Sequence, residues 1–255
     1  MISKKINKDG YYISKNFFKL KDIEQLEKTL HLYATLYIKN YSNKLYTEGR
    51  KIIKKNNNNF RLSSLRFFDK IEKNNQKAFY EICKNISKIE VINTFFRTPK
   101  VEKFLKNYFG KSYLIIQKKI FLLFNSKNTR RLILQWHQEC HFYSQKKGFH
   151  LWFPVFRNVK AINDGALQIA EKSNKKVYGF KIEKTKNGYL QKIPNINVDH
   201  KFNTKGINLN RGDALIIHHN TFHKTDNQLN TLPRLAIVVK FLADGDKEKI
   251  KFVKQ

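Results

Sequence analysis

The sequence predicts an α+β fold in which helices from the first half of the chain pack on a β-core formed by the second half. Up to about residue 111, apolar residues recur at three- and four-residue steps, the pattern of amphipathic helices. From residue 112, short β-branched and aromatic runs alternate with turn signals such as Asn163-Asp164-Gly165, which is typical of a β-sandwich or barrel. Because the 255 residues contain no internal repeat and no Gly/Ser/Pro linker, we expect a single domain over residues 1–255.

The first part, residues 1–111, is expected to form mainly helical support for the core. A short apolar strand is predicted at 11–13, ahead of the first long helix. That helix is predicted from a stripe of apolar residues on one face, comprising Ile23, Leu26, Leu30, Tyr33 and Tyr37. A polar tract at 56–59 predicts a loop, and helical patterning returns at 79–89 and 101–108.

The second part, residues 112–243, is expected to supply the β-core. Strands are predicted from the apolar runs at 113–124, 132–136, 149–156, 166–169, 214–218 and 235–241. A polar insertion at about 171–205 carries nine lysines against three acidic residues. Such an insertion is usually a lid, a binding loop or a disordered segment. Its lysines would suit an anionic substrate, although solvated surface charge is the simpler explanation.

The chain is strongly basic, with 51 Lys and Arg residues against 20 Asp and Glu and a formal net charge of +31. Such a balance raises nucleic acid or an anionic membrane surface as a partner. However, Lys, Asn, Ile, Phe and Tyr, which A/T-rich codons encode, make up half the chain. Only nine residues are Arg, the side chain best suited to bidentate phosphate contacts. We therefore attribute the charge to nucleotide bias and solubility, and expect no nucleic-acid partner.

Targeting signals are not visible in the sequence. No apolar run approaches the roughly 18 residues that a membrane span needs, and no apolar segment follows the basic N-terminus as in a secretory signal. We therefore expect a cytoplasmic protein without a membrane partner. The two cysteines are too few for a disulfide scaffold, which agrees with a reducing compartment. No feature of the sequence indicates an oligomeric state.

Residues 136–141, which read Trp-His-Gln-Glu-Cys-His, suggest a metal site. At the end of a strand, His137 and Glu139 would point to the same face, because side chains in a strand repeat every two residues. Such a pair alone arises readily by chance. We expect Cys140, on the alternate side, to be a free cysteine buried in the core.

Further candidates follow in the last third of the chain. His223 comes shortly after the Gly212-Asp213 turn and its apolar strand, and Thr225 and Arg234 lie beyond it. Two His and one carboxylate on a β-core form the facial triad of non-haem Fe(II) oxygenases. An Arg on a neighbouring strand can clamp a dicarboxylate through paired hydrogen bonds. Five of the six other histidines are expected to be structural, hydrogen-bonding or surface residues, namely His31, His150, His200, His218 and His219.

Taken in order, these motifs resemble the phytanoyl-CoA dioxygenase family of Fe(II)- and 2-oxoglutarate-dependent oxygenases over most of the chain. The opening Asp-Gly-Tyr-Tyr-Ile-Ser-Lys-Asn-Phe-Phe at 9–18 is similar to the start of that family. Residues 136–139 resemble its Trp-His-Gln-Asp motif, and 163–167 its Asn-Gly-x-Leu segment. Ser173-Asn174 stands where the family usually has Ser-His. His223, Thr225 and Arg234 then follow in the expected order.

The resemblance implies a fold, a cofactor set and an activity. The fold is a double-stranded β-helix, a cupin-like jelly roll, with helices from the N-terminal half buttressing one sheet. Fe(II) would be held by His137, Glu139 and His223, with 2-oxoglutarate and O2 as cosubstrates. The implied 2-oxoglutarate-binding residues are Arg234, Thr225, Trp152 and Gln117. The implied enzyme is a 2-oxoglutarate-dependent dioxygenase that hydroxylates a small-molecule or conjugated metabolite.

Glu139 departs from the family pattern, which has Asp at this position. Glu has the same charge and one more methylene, so it can still bind a metal if the backbone recedes slightly. It argues against halogenation, because halogenating relatives carry a small residue there. Glu139 and the net charge also leave a second hypothesis. In this hypothesis the chain is a non-catalytic binding protein on the same fold, with a basic surface for a polyanion. A metal-dependent cupin-like isomerase or hydrolase is a third hypothesis, against which Arg234 and Thr225 argue.

Overall fold

The computed structural model describes residues 2–55, 59–110, 114–117, 120–126, 133–142, 148–184, 190–226 and 232–244. The helices of the first half are α1 (Ile2–Asp9), α2 (Leu20–Tyr41), α3 (Asn43–Lys55), α4 (Phe60–Asn74), α5 (Gln76–Ile86), α6 (Glu90–Phe95) and α7 (Pro99–Phe109). A short helix, α8 (Val198–Lys201), lies in the second half. The strands are β1 (Tyr11–Ser14), β2 (Leu114–Gln117), β3 (Phe121–Asn125), β4 (Gly148–Val155), β5 (Leu167–Ala170), β6 (Phe180–Lys184), β7 (Leu190–Pro194), β8 (Thr204–Gly206), β9 (Ala214–His218), β10 (His223–Thr225) and β11 (Arg234–Asp244).

The helices begin and end where local chemistry favours it. Asn59 caps α4 by accepting from the Leu62 amide at 3.1 Å, and Asn75 likewise caps α5 through the Ala78 amide at 3.0 Å. Helix α7 has Pro99 in its first turn, and it ends at Gly110, whose φ of 88° favours glycine. The predicted stripe of α2 is confirmed, since Ile23, Leu26 and Leu30 are buried. Among the described residues, no helix is both long and apolar enough to cross a membrane.

The larger sheet has six antiparallel strands. Four of them lie side by side in the order β1, β9, β4 and β11. The other two strands both pair with the free edge of the long strand β11, β3 with its first part and β2 with its last four residues. Side chains of β11 alternate between two buried environments. Leu235, Ile237 and Val239 face the helices, whereas Ala236 and Val238 face the other way. One face of the sheet therefore packs on the helical half, as predicted.

The opposite face packs on a smaller antiparallel sheet in the order β10, β5 and β8. A buried apolar cluster joins the two sheets, with Trp152, Leu215 and Val238 from the larger sheet and Leu167 and Ile169 from the smaller one. We call the space between the sheets the interior. The architecture is thus mixed helix and sheet with antiparallel sheets.

Glu27, on the inner face of α2, ties the helices to the core. Its side chain is only 1% exposed, yet both carboxylate oxygens are bonded. Oε1 accepts from Arg211 Nε at 2.6 Å and from the Phe156 amide at 3.2 Å, while Oε2 accepts from Arg61 Nε at 2.9 Å. A buried carboxylate held in this way fixes how α2 sits on the β-core.

Several strand predictions need correction. A strand was predicted at 132–136, but the described part of this run, 133–136, forms none. The first backbone pairing after it is the isolated bridge between His137 and His223. The run at 113–124 is two strands, β2 and β3, each paired with a different part of β11. The insertion at 171–205 contains the β6–β7 hairpin, α8 and the core strand β8. These strands could not be predicted from the lysine-rich sequence. Strand β6 is largely exposed, so its residues need not alternate between apolar and polar. The predicted loop at 56–59 lies mostly outside the described residues.

Candidate metal centre

His137 and His223 are brought together by backbone pairing. Each donates its amide N–H to the carbonyl of the other at 3.1 Å, which forms an isolated antiparallel bridge. Side chains directly opposite in such a pair lie on the same face, and here the two imidazole centres are 4.2 Å apart. Glu139 begins a short 3-10 helix, Glu139–Phe142, immediately after the bridge. The turn, and not the strand period expected from the sequence, places Glu139 beside both rings.

The three side chains form a compact buried group. Their ligand atoms lie within 4.8 Å of one another. Glu139 Oε2 is 3.9 Å from His137 Nε2 and 3.8 Å from His223 Nε2. Each side chain is at most 7% exposed. The structure therefore brings together all three residues that the sequence predicted as metal ligands.

Backbone carbonyls set the orientation of both imidazoles. His137 Nδ1 lies 2.7 Å from the Gln135 carbonyl, and His223 Nδ1 lies 2.9 Å from the Thr221 carbonyl. Since a carbonyl can only accept, each Nδ1 carries the hydrogen and each Nε2 keeps its lone pair. Burial lowers the pKa of His137, and it lowers the pKa of His223 to about 3. Both rings are therefore neutral at physiological pH, the form that binds a metal.

Lys240 supplies the counter-charge for Glu139. Its ammonium donates to Glu139 Oε1, the carboxylate oxygen that does not face the histidines. Burial acts to raise the pKa of Glu139, but the attraction and the hydrogen bond of the Lys240 ammonium act to lower it, and the pKa lies below its ordinary value. Glu139 is therefore ionised, as a metal ligand must be.

A second polar group lies at the other end of β11. Arg234 is 2% exposed, and its guanidinium carbon lies 5.4 Å from the centre of the Trp152 ring. One nitrogen donates to the Leu123 carbonyl at 3.2 Å, whereas Nε has no hydrogen-bond partner among the described residues. Burial, with a contribution from Arg157, lowers the pKa of Arg234 to about 9. Within the described residues no carboxylate pairs with this guanidinium, and a buried cation in that situation is costly to maintain.

Asn125 adds to this group and was missed by sequence reasoning. It is paired with Arg234 across β3 and β11, so its side chain lies on the same face. It is 1% exposed, and within the described part of the chain neither amide atom has a hydrogen-bond partner. The same holds for Trp152 Nε1. Three buried side chains thus leave polar atoms unsatisfied around one place, which we call the Arg234 pocket.

The other predicted cosubstrate residues are placed less fully. Thr225 is buried and two residues from His223 in β10, so both point into the interior. Gln117 lies at the end of β2, opposite Phe241, but its side chain is outside the described residues. Their roles stay predictions.

His150 is a buried and not a surface histidine, and Cys140 differs from what the sequence suggested. His150 is 2% exposed and lies inside the centre, with its ring 4.6 Å from that of His223. Its position opposite Lys240, on neighbouring strands, could not be read from local pattern. Cys140 is only partly buried, because it lies on a 3-10 turn and not on the inner side of a strand. His218, in contrast, is the hydrogen-bonding residue expected, since its Nδ1 accepts from the Asn220 amide at 3.1 Å.

The sequence matches a known family over almost its whole length. Residues 6–236 match the family described as Phytanoyl-CoA dioxygenase (PhyH). The chain belongs to the phytanoyl-CoA dioxygenase family. The predicted family is confirmed, and membership together with the His137, Glu139 and His223 group agrees with the predicted cofactors, Fe(II) and 2-oxoglutarate. The class of the protein is therefore a non-haem iron, 2-oxoglutarate-dependent oxygenase.

Solved structures similar to this phytanoyl-CoA dioxygenase family member share its fold at low sequence identity. The apo non-heme monooxygenase ThoJ is 12% identical with a TM-score of 0.60, covering 95% of this chain and 77% of its own. EctD from S. alaskensis with bound Fe is 10% identical with a TM-score of 0.59, covering 99% and 80%. The epimerase SnoN, in complex with Fe3+, alpha ketoglutarate and nogalamycin RO, is 9% identical with a TM-score of 0.56, covering 100% and 95%. No curated protein matches the chain in sequence.

Proposed function

We propose that this protein is an Fe(II)- and 2-oxoglutarate-dependent hydroxylase of a small-molecule or conjugated metabolite. The observation that carries the proposal is the combination, in one interior, of the His137, Glu139 and His223 group with the Arg234 pocket. A metal-binding protein without a cosubstrate would not need a buried, unpaired guanidinium. An oxygenase of this class needs both.

The donor set suits Fe(II). Two neutral imidazoles and one carboxylate are the ligands of the facial triad, and the two Nε2 lone pairs and Glu139 Oε2 face one another. The hydrogen bonds from Nδ1 to backbone carbonyls keep these lone pairs in place. We assign His137, Glu139 and His223 as the iron ligands.

The Arg234 pocket suits one carboxylate of 2-oxoglutarate. The Arg234 guanidinium would pair with the distal carboxylate, and Asn125 and Trp152 would offer N–H donors beside it. Thr225, whose side chain faces the same interior, would donate a further hydrogen bond, and Gln117 is a predicted neighbour on β2. Asn125 extends the set of residues expected from the sequence.

Bound Fe(II) with 2-oxoglutarate supplies the activation of O2 and the oxidation of a substrate C–H bond. The protein's own residues hold the metal, orient the cosubstrate and exclude water from the interior. The core is inferred to be the double-stranded β-helix predicted above, supported by two facing antiparallel sheets with the ligands between them. SnoN and ThoJ are described as an epimerase and a monooxygenase, so the fold alone does not select the reaction.

Anaerobic titration tests the proposal. Fe(II) and then 2-oxoglutarate are added to the protein, and binding is followed by difference absorption spectra. We expect one Fe(II) per chain, and a new band only when both are present. His137→Ala and His223→Ala should abolish both signals, whereas His200→Ala, a matched change at an exposed histidine, should preserve them. Wild-type protein that binds neither Fe(II) nor 2-oxoglutarate would refute the proposal. A screen for succinate release with candidate metabolites then addresses the substrate.

A further inference from the structure

The two oxygens of Glu139 have different partners. Oε2 faces the Nε2 atoms of His137 and His223, at 3.9 and 3.8 Å. Oε1 accepts a hydrogen bond from the Lys240 ammonium on the other side. The carboxylate is thus divided between the metal-ligand group and a lysine that comes from the opposite sheet.

Lys240 is held in this position by its surroundings. It belongs to the interior-facing set of β11, six residues after Arg234 on the same face of the strand. Its Cα is paired with that of His150 on β4, and its ammonium lies 4.9 Å from the centre of the Phe121 ring. The Lys240 side chain is 12% exposed. Breaking the pair would leave a largely buried charge uncompensated. We therefore expect the Lys240 ammonium to stay bonded to Glu139 when the metal is present.

The division matters because of the length of the glutamate side chain. A carboxylate with both oxygens free can bind a metal through one oxygen or through both. Binding through both would occupy one of the positions that a two-histidine, one-carboxylate site leaves open for other ligands. Glu139 has one methylene more than the Asp of the family's motif. This extra methylene gives the carboxylate more freedom to rotate into that arrangement.

We propose that Lys240 is a positioning residue that holds Oε1 and so restricts Glu139 to one-oxygen coordination through Oε2. This inference rests on the proposed function, since it concerns how the same site receives its metal. It explains how the chain uses Glu at this position, because a second residue controls the rotation that the longer side chain allows. Lys240 acts through Glu139 and needs no contact with substrate.

The test compares Lys240→Met with Lys240→Arg, which retains a charged donor, and with Lys224→Met. Lys224 alternates with His223 and Thr225 in β10, so its side chain lies on the opposite face, where it pairs with the exposed Asp199 and controls for the loss of a lysine. Each variant is loaded with Co(II), whose visible spectrum reports coordination number, and is then titrated with 2-oxoglutarate under anaerobic conditions. We expect Lys240→Met to bind one Co(II), to change its spectrum, and to weaken 2-oxoglutarate binding at least tenfold. Lys240→Arg should restore much of the wild-type behaviour, and Lys224→Met should match the wild type.

A measurement on wild-type protein keeps the inference testable if Lys240→Met fails to fold. Infrared difference spectra of metal binding, with protein labelled with carbon-13 at its Glu carboxylates, distinguish one-oxygen from two-oxygen coordination by the splitting of the carboxylate bands. A two-oxygen splitting in the wild type, or an unchanged Co(II) spectrum and 2-oxoglutarate affinity in Lys240→Met, would overturn the inference. Either result leaves the proposed function standing, because that function fails only if the wild type binds no metal or no 2-oxoglutarate.

Discussion

Arg234 is the side chain that distinguishes cosubstrate binding from metal binding. We expect Arg234→Ala to weaken 2-oxoglutarate binding by about two orders of magnitude, because a charge-assisted bidentate pair contributes a few kcal/mol. Fe(II) binding should be nearly unchanged, since no ligand atom is removed. The measurement is a paired titration of metal and 2-oxoglutarate, with the exposed Arg66→Ala as the matched control. Unchanged 2-oxoglutarate affinity would mean that Arg234 has another role.

The same arginine should lower stability. Its pKa of about 9 means that the fold disfavours its charged form. We expect Arg234→Met to raise the free energy of unfolding at pH 7 by about 1–3 kcal/mol when no 2-oxoglutarate is added. Urea unfolding at pH 7 measures this, and a variant less stable than the wild type would contradict it.

Helix α2 should depend on one buried carboxylate for its attachment to the β-core. Glu27→Gln removes the charge that Arg61 and Arg211 share, and leaves buried donors poorly satisfied. We expect the free energy of unfolding to fall by about 2–4 kcal/mol, as measured by urea denaturation. Glu24→Gln, at a side chain that is 49% exposed, should cost less than about 1 kcal/mol. Equal losses in the two variants would show that the burial of Glu27 has no special effect.

The elements that could be predicted from sequence are those whose signal is local. The apolar stripe of α2 and the apolar run of β9 are periodic patterns, and both elements form at those positions. The weakly apolar strands β6, β7 and β8 were missed, because their pairing depends on tertiary contacts. The strand predicted at 132–136 does not form at 133–136, and the isolated bridge at His137 was missed because it depends on pairing with His223, which is far away in the chain.

The candidate site divides in the same way. His137, Glu139 and His223 were predictable because residue type, short spacing and a family motif pointed to them. Lys240 and Asn125 were not, because a polar residue in an apolar strand ordinarily reads as solvent-facing. Both faces of β11 are buried, and the partner of Lys240 is 101 residues away in the chain. Only the packed sheets show which face each residue takes.

For the whole molecule, the metal should add stability without being required for folding. The two largest apolar clusters, which join helices to sheet and sheet to sheet, are built from apolar side chains and need no bound metal to pack. We therefore expect a chelator to lower the melting temperature while leaving the far-ultraviolet circular dichroism at room temperature unchanged. Adding metal to about 100 times its dissociation constant should restore about 2.7 kcal/mol. Loss of helical signal on chelation would contradict this.

The net charge of +31 is the other property of the whole chain that can be tested. If it reflects composition, binding to DNA or RNA should be weak, independent of sequence, and lost by physiological salt. Fluorescence anisotropy at several salt concentrations measures this. Tight binding with a steep salt dependence, equivalent to many phosphate contacts, would favour the polyanion-binding alternative.

The placement of Arg234 and Lys240 on one strand constrains how this protein can change over evolutionary time. The six-residue interval keeps both side chains on the interior face of β11. A single-residue insertion or deletion between them would turn one toward the helices, whatever amino acid was added or lost. A point substitution in β11 changes one side chain only, whereas a change in its length reverses the faces of all the residues that follow. We therefore expect homologues to conserve this interval strictly and to vary in length elsewhere, most readily at the exposed β6–β7 hairpin.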